Sequence, residues 1–520
     1  MAGDRRRLRG AEGRPLKGYA PLVVIVAAFV VMVAIVPSKV PAELASIGQG
    51  EATEVESGLP ATGWGDTVSA CPDRELQVPD LAYSPPCFAF SGDNGGETAR
   101  GVTADTIRVA YRVTSDPNLL LLLGQLGGVA LDETNDEMYR TMEALVEYVN
   151  ANFELYGRRI ELVRYDGRGQ ILPEFTGGGQ DAATNDSIRV ANELGAFADI
   201  TGITQPYADA LARNQVVAVG APYMSRQWFE ERRPFAWSIV PDCTITAEAS
   251  AVYANGRLFG RTADHAEGDL ATQERTLAVV APNNLEYQQC VDTFEEQVEA
   301  DGNSVALRLD YTLDPAQLKT QAASLMAKLK DEGATSVSCA CDPVMQMYLG
   351  QEATAIDYHP EWLIAGVGFI DWDLGGQIIS KNAPDQWVNA FGGSPSAAPV
   401  PPEASFAHAA YRTVRDDEPS LLVEELFHEL LVLTLGIQMA GPELTPDTFE
   451  TGLFSYPGGT GQMGTWDFGP GHYTPITDIR EIWWDPEAVS AFNGEPGTYR
   501  DNGQRYQQED VPEGEPEVFP

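Results

Sequence analysis

The feature that most restricts the fold of this chain is an alternation of short apolar runs with amphipathic stretches at helical spacing, and it occurs twice in series. In the first series, residues 106–113 (TIRVAYRV) read as a strand and residues 133–153 as a helix with Met138, Met142, Leu145, Val146 and Val149 on one face. Residues 159–165 follow as a strand and 181–194 as a helix. Two short apolar runs, 197–200 and 216–219, then flank a small amphipathic segment at 207–213. Such runs are too short for helices and need not alternate with polar residues, because strands of a parallel sheet are covered on both faces.

After Pro241 the pattern restarts. Helices are expected at 247–258, 285–300, 315–331 and 343–354, and strands at 276–281, 305–309, 336–339 and 361–365. Repeated βαβ units build doubly wound parallel sheets, and this many exceed what one core of that type usually holds. The expectation is an α/β protein of two Rossmann-like lobes. In such sheets ligands lie beyond the carboxyl ends of the strands, which directs attention to the turns at 202–205 and 220–225. Tyr223, Trp228, Tyr287, Phe369 and Trp372 all fall at or just after predicted strand ends. Each alone is explained by packing, but five on turns that converge on one cleft point to binding.

The rest of the chain is less regular. Residues 403–414 and 421–439 read as apolar helices, 462–468 and 475–484 as strands, and the stretch after Pro486 as a polar, peripheral tail. Residues 37–100, rich in Gly, Pro, Ser and acidic side chains, read as a linker. Ahead of it, six basic residues precede the uncharged run LVVIVAAFVVMVAIV at 22–36. A basic flank before an apolar run places the remainder outside the cytoplasmic membrane. The length suits either a short membrane anchor or a long signal segment, and no Cys follows closely enough to carry a lipid.

Residues 1–20 hold six basic and two acidic side chains, so the other 500 hold a net −46 of the chain's −42 total. That balance excludes phosphate-backbone binding, which needs Lys and Arg, and otherwise describes a solvated acidic surface. Six Cys suit an oxidising compartment. Cys71 and Cys87 are expected to pair, and Cys290 to pair with Cys339 or Cys341.

Several motifs fail their own structural tests. GTGQMG at 459–464 matches a dinucleotide-binding spacing but lacks a strand before it and a helix after it, so it reads as a Gly-rich turn. His428 and Glu429 have no second His at zinc-protease spacing, and the remaining His are scattered, so no metal or other cofactor is expected. No nucleophile elbow, phosphate loop or kinase set is present, and catalysis is not expected.

GVTADTIRVAY at the start of the first series, TGITQPYADALARNQVVAVGAP in its later strands, DYHPEWLIAGVGF and IWWDPEAVSAFNGEPGTYR together resemble the type I periplasmic substrate-binding proteins, in particular the branched-chain amino-acid-binding proteins of ABC transporters. The resemblance covers about 101–440. It implies two lobes joined by three crossings, near 238–243, 366–375 and 441–452. Lobe I would be 101–240 with 370–440, and lobe II with the hinge 241–369 with 441–485, followed by the tail 486–520. It further implies ligand contacts at Thr204, Gln205, Ala221 and Tyr223 from lobe I, and at Tyr287, Asp342, Phe369 and Asp371 from lobe II. Leu119–Leu123 and Tyr223 replace the small polar residues usual in that family, which would suit a more apolar or aromatic ligand than an amino-acid zwitterion. The function implied is non-enzymatic capture of a small organic ligand and its delivery to an ABC permease, at the outer face of a membrane. The alternative on the same fold is a membrane-anchored extracellular sensor or interaction module.

Overall fold

A computed structural model describes residues 67–116, 131, 133–175, 178–283, 285–312, 314 and 316–520. The apolar run at 22–36 and the Leu-rich turn at 119–123 lie outside the described residues. Among the described residues no helix is long and apolar enough to cross a membrane.

A small antiparallel hairpin, β1 (Val68–Ala70) and β2 (Phe88–Phe90), comes first. Lobe I then takes β3 (Thr106–Val113), α1 (Asn135–Asn152), β4 (Arg159–Asp166), α2 (Gln180–Ile188), β5 (Ala198–Asp199), α3 (Gln205–Arg213), β6 (Val217–Val219) and β7 (Ala236–Trp237). Its five strands are all parallel in the order β4-β3-β5-β6-β7. The local reasons are ordinary. Thr134 caps α1 by accepting from the Glu137 N–H, acidic Asp136 and Glu137 sit in its first turn, and Met142, Leu145 and Val149 form its buried stripe. The helix after β4 widens to a π-helical turn at Arg189–Leu194 and ends on Gly195 in the left-handed region.

Lobe II takes α4 (Cys243–Tyr253), β8 (Leu277–Pro282), α5 (Leu285–Ala300), β9 (Leu307–Tyr311), α6 (Leu318–Asp331), β10 (Ser336–Cys339), α7 (Pro343–Ala355), β11 (Glu361–Ile364), α8 (Asp373–Asn382) and β12 (Ala390–Ser394). β8 and β11 are buried along their whole length, as strands covered by helices on both faces must be. The chain then returns to lobe I for α9 (Phe406–Arg412), α10 (Val423–Ala440) and α11 (Pro446–Phe454). A hairpin of β13 (Gly459–Gly461) and β14 (Gly464–Trp466) leads back to lobe II and β15 (Asp478–Val489), β16 (Pro496–Asp501) and β17 (Tyr506–Gln507). The lobe II sheet runs β16-β15-β12-β11-β10-β8-β9, parallel from β9 to β12 and antiparallel at β15 and β16, with β17 paired to β15. Helix α10 is buried at 15 of its 18 residues, so its largely apolar sequence serves a core between α1 and α11. Gly436 permits the approach of α11, since a Cβ there would lie 2.2 Å from the Phe449 ring.

This path moves two of the expected crossings. The first stands at 238–243. Residues 373–394 belong to lobe II rather than lobe I, because β12 pairs with β11 on one side and β15 on the other. Its sequence AFGGS reads as loop by composition, yet Gly392 is required where a Cβ would meet the Ile364 carbonyl oxygen at 2.5 Å. The second crossing therefore follows Ser394, and the third follows α11 instead of preceding it. Residues 67–100 are not a linker: Tyr83 is 2 % exposed and stacks on Trp466 at 4.3 Å, and Gln77 donates to the Asn152 carbonyl. The tail is not peripheral either. β16 edges the lobe II sheet, and Val518 and Phe519 join a core with Leu363 and Phe391.

The Cys71–Cys87 disulfide forms as expected. Cys290 pairs with Cys243 instead of Cys339 or Cys341, which pair with each other. The starts of α4 and α5 lie side by side and bring Cys243 and Cys290 together, whereas Cys339 and Cys341 share the end of one strand. The Gly-rich motif at 459–464 is the β13–β14 hairpin, with Gly464 in the left-handed region and no helix following.

Candidate functional site

The strand ends of the two lobes face each other, and the structure brings some of the nominated residues into direct contact. The Phe369 N–H, in lobe II, donates to the Tyr223 hydroxyl of lobe I at 3.2 Å. Their rings meet edge to face at 5.1 Å, and Trp372 packs on Phe369 at 4.8 Å. Both residues hold left-handed backbone, with φ of 56° at Tyr223 and 64° at Phe369. That conformation costs a residue with a Cβ about 1–2 kcal/mol, so the surrounding turns must impose it. Burial, with Asp371 nearby, raises the Tyr223 phenol well above its ordinary value and keeps it neutral.

Other nominated residues face inward. Thr204 is fully buried at the start of α3, and its hydroxyl donates to Glu174. Glu174 in turn holds Arg112 at 2.7 Å, with Asp186 at 3.5 Å and the Tyr207 ring under the guanidinium at 3.8 Å. This is a satisfied polar cluster inside lobe I. Gln205 begins α3 half-buried, and Ala221 is buried beneath the fourth-strand turn. Trp228 lies in lobe I under the Arg232 guanidinium, 4.2 Å from its ring centre. Asp342 caps α7, accepting from the Val344 and Met345 N–H groups, and burial pushes its carboxyl up to about 6. Tyr287 borders a small apolar void of about 50 Å³ beside the Cys243–Cys290 disulfide.

The principal cavity lies beside the Tyr223–Phe369 contact, toward the hinge. Its volume is about 340 Å³, within the span of small-molecule sites. All three crossings wall it: Val240 on the first, Ser396 and Val400 on the second, Met463 on the third. Asp371, Trp372, Leu374, Arg480 and Phe492 come from lobe II, and His408, Leu421, Glu424 and Glu425 from lobe I. The lining is mostly apolar with a few fixed polar groups. Asp371 Oδ2 accepts from Ser394 at 2.6 Å and Ser396 at 2.7 Å, while Arg480 donates to the Ser396 carbonyl at 2.8 Å and pairs with Asp501 at 2.5 Å. Burial raises the carboxyls of Asp371 and Glu424, and pushes Glu425 up to about 7. A smaller void of about 70 Å³ at the lobe I strand ends touches Thr201, Ile203 and Glu429.

Of the nominated residues, Asp371 and Trp372 line the principal cavity, and Tyr223 and Phe369 touch each other across the lobes, with Trp372 packed on Phe369. Sequence reasoning missed Ser396, Glu424, Glu425, Met463 and Arg480, all on the crossings or beside them. One signal was present: Glu424 and Glu425 open a helix that is mostly apolar and buried, an unusual place for adjacent carboxyls. Among the described residues, no group of three or more His, Cys, Asp or Glu is placed to hold a metal ion.

No protein-family model matches the sequence, and no curated protein does. Solved structures do match. A solute-binding protein of an ABC transporter from R. palustris, in complex with 4-hydroxybenzoate, is 13% identical with a TM-score of 0.53, over 78% of this chain and 98% of that one. A fatty acid ABC transporter substrate-binding protein from Thermomonospora curvata is 14% identical with a TM-score of 0.52, over 81% and 98%. A leucine-binding protein from Thermotoga maritima is 14% identical with a TM-score of 0.51, over 78% and 99%. At such identities the likeness is one of architecture, and the architecture is specific: this chain has the type I periplasmic-binding fold shared by the solute-binding proteins of ABC transporters.

Proposed function

We propose that the protein is an extracytoplasmic solute-binding protein that captures a small organic ligand between its lobes and presents it to an ABC permease. One observation carries this reading: the principal cavity is walled by both lobes and by all three crossings. A ligand there touches every part that moves when the lobes close, so its contacts exist in full only in the closed form. Binding energy then becomes closure, which is the signal a permease can read. The neighbours bind hydroxybenzoate, fatty acid or leucine by their descriptions, and the apolar walls formed by Trp372, Leu374 and Phe492 suit a ligand with a sizeable apolar body.

In this reading Asp371 contacts the ligand, Tyr223 and Phe369 latch the lobes beside it, and Tyr287 and Asp342 shape the lobe II turns behind the latch. Thr204, Gln205 and Ala221 support the lobe I turns. The apolar run at 22–36 holds the protein at the outer face of the membrane. No enzyme activity is assigned.

The test is mass spectrometry of small molecules released from the purified protein, followed by thermal melting with the molecules found. A released compound that raises the melting temperature with concentration supports the reading. Absence of any released compound, with no stabilisation across a broad metabolite panel, refutes it.

A further inference from the structure

The charged groups around the principal cavity do not balance, and what is left over describes the ligand. Five carboxyl residues line it: Asp371, Asp373, Glu418, Glu424 and Glu425. Asp373 is satisfied by Ser490, Thr498 and the Tyr499 N–H. Glu418 meets His408 at 3.0 Å. The guanidinium of Arg480 is already neutralised by Asp501. Three acids remain. Asp371 is 2 % exposed, its Oδ2 is fixed by two serines, and its Oδ1 has no partner. The carboxylate oxygens of Glu424 are buried with the Ser405 hydroxyl beside them, and Oε2 of Glu425 is buried without a hydrogen bond. His428 Nδ1, 3.7 Å from Glu424 Oε2, donates to the Glu424 main-chain carbonyl at 2.7 Å, and His408, which also acts on Glu424, is engaged by Glu418.

A buried carboxylate without a partner costs several kcal/mol, and a wall of them rejects anions. An alkylammonium group offers three donors and one positive charge, which balances one ionised carboxylate of the three; burial raises all three carboxyls, so the other two stay protonated beside it. We propose that the ligand bears a protonated amine held between Asp371 of lobe II and Glu424 and Glu425 of lobe I, on an apolar body packed against Val240, Trp372, Met463 and Phe492. The proposal rests on the solute-binding reading and narrows it. It also moves the polar anchor from the strand-end turns to the hinge side of the cleft. The strand-end position is occupied by the Tyr223–Phe369 contact, and Thr204 is turned into lobe I. The amine would bridge the lobes at the start of α10, so closure and charge neutralisation occur together.

Titration calorimetry of the full chain with three probes of similar shape tests this: phenethylamine, phenethyl alcohol and hydrocinnamate. The amine is expected to bind at least about tenfold more tightly than either of the others. Glu424→Gln and Glu425→Gln, alone and combined, are expected to weaken the amine about tenfold and to weaken it more than the alcohol, with the unfolding midpoint of the ligand-free variants as the control for folding. Equal or tighter binding of the alcohol or the carboxylate overturns the proposal, as does unchanged amine affinity in the double variant. If hydrocinnamate binds best and the double variant strengthens it, the amine assignment falls while solute binding stands. If no probe binds and the purified protein releases no small molecule, both fall.

Discussion

The contact between Tyr223 and Phe369 links the two lobes, and Tyr223→Phe isolates its polar part. The substitution keeps the ring that meets Phe369 at 5.1 Å and removes only the hydroxyl that accepts from the Phe369 N–H at 3.2 Å. In the closed form that N–H is buried and would be left without an acceptor, at a cost of about 1–3 kcal/mol. In an open form water satisfies both groups in either protein. The loss therefore falls on the closed form alone, and a value near 1–2 kcal/mol lowers the closed-to-open ratio about 5- to 30-fold. Because the described residues contain no free Cys, exposed positions such as Asn192 and Glu296 can be changed to Cys, one in each lobe, for spin labelling. Pulsed electron paramagnetic resonance should then show a larger share of long distances in Tyr223→Phe than in the parent. Ligand affinity should fall by the same factor as the closed share. Identical distance distributions, with and without ligand, would refute the argument that this hydrogen bond holds the lobes together.

Other consequences are equally open to measurement. Thr204→Val removes a fully buried hydroxyl from the Glu174–Arg112–Asp186 cluster and should cost about 1–3 kcal/mol in unfolding free energy with ligand affinity unchanged; a selective loss of affinity would place Thr204 in the cleft after all. Non-reducing peptide mapping should recover Cys243 linked to Cys290. Replacing both with Ser removes a cross-link spanning 47 residues, worth about 4 kcal/mol in chain entropy, and recovery of Cys290 linked to Cys341 would contradict the pairing. Burial, reinforced by Glu425, pushes the Glu429 carboxyl up to about 8 from an ordinary 4.5. The folded chain therefore binds more protons than the unfolded chain between those values, and this residue makes stability fall as pH rises through that window. Glu429→Gln should flatten the decline of melting temperature between about pH 5 and 8, and an unchanged slope would show that Glu429 is ionised in the folded protein.

The lobe cores were legible because burial on both faces writes itself into consecutive residues. LAVVA of β8 and VAV of β6 leave little choice but a covered strand, and the stripe on α1 names its own buried face. The crossings were not legible, because what fixes them is pairing between distant strands. AFGGS carries no apolar period, and only the register with Ile364 and Ile482 makes it an interior strand of a seven-strand path. The candidate site suffers from the same cause. Asp371 could be nominated from its turn, but Ser396, Met463 and Arg480 enter the cavity from crossing segments that have no periodicity to read. Cysteine pairing failed for a simpler reason: Cys243 and Cys290 are adjacent through the packing of α4 on α5, which no spacing rule encodes.

The segment that precedes lobe I is fastened both to lobe I, through Gln77 and Asn94, and to the last crossing. The Tyr83 hydroxyl donates to the Gly464 carbonyl at 2.8 Å, its ring stacks on Trp466, and the Tyr456 hydroxyl donates to the Tyr83 carbonyl at 3.0 Å. Mechanical load entering the protein ahead of Thr67 is thus delivered to lobe I and the pivot together, as one body. A tether attached there can be pulled taut or left slack without prying the jaws apart, so the protein can be held in place and still open and close freely.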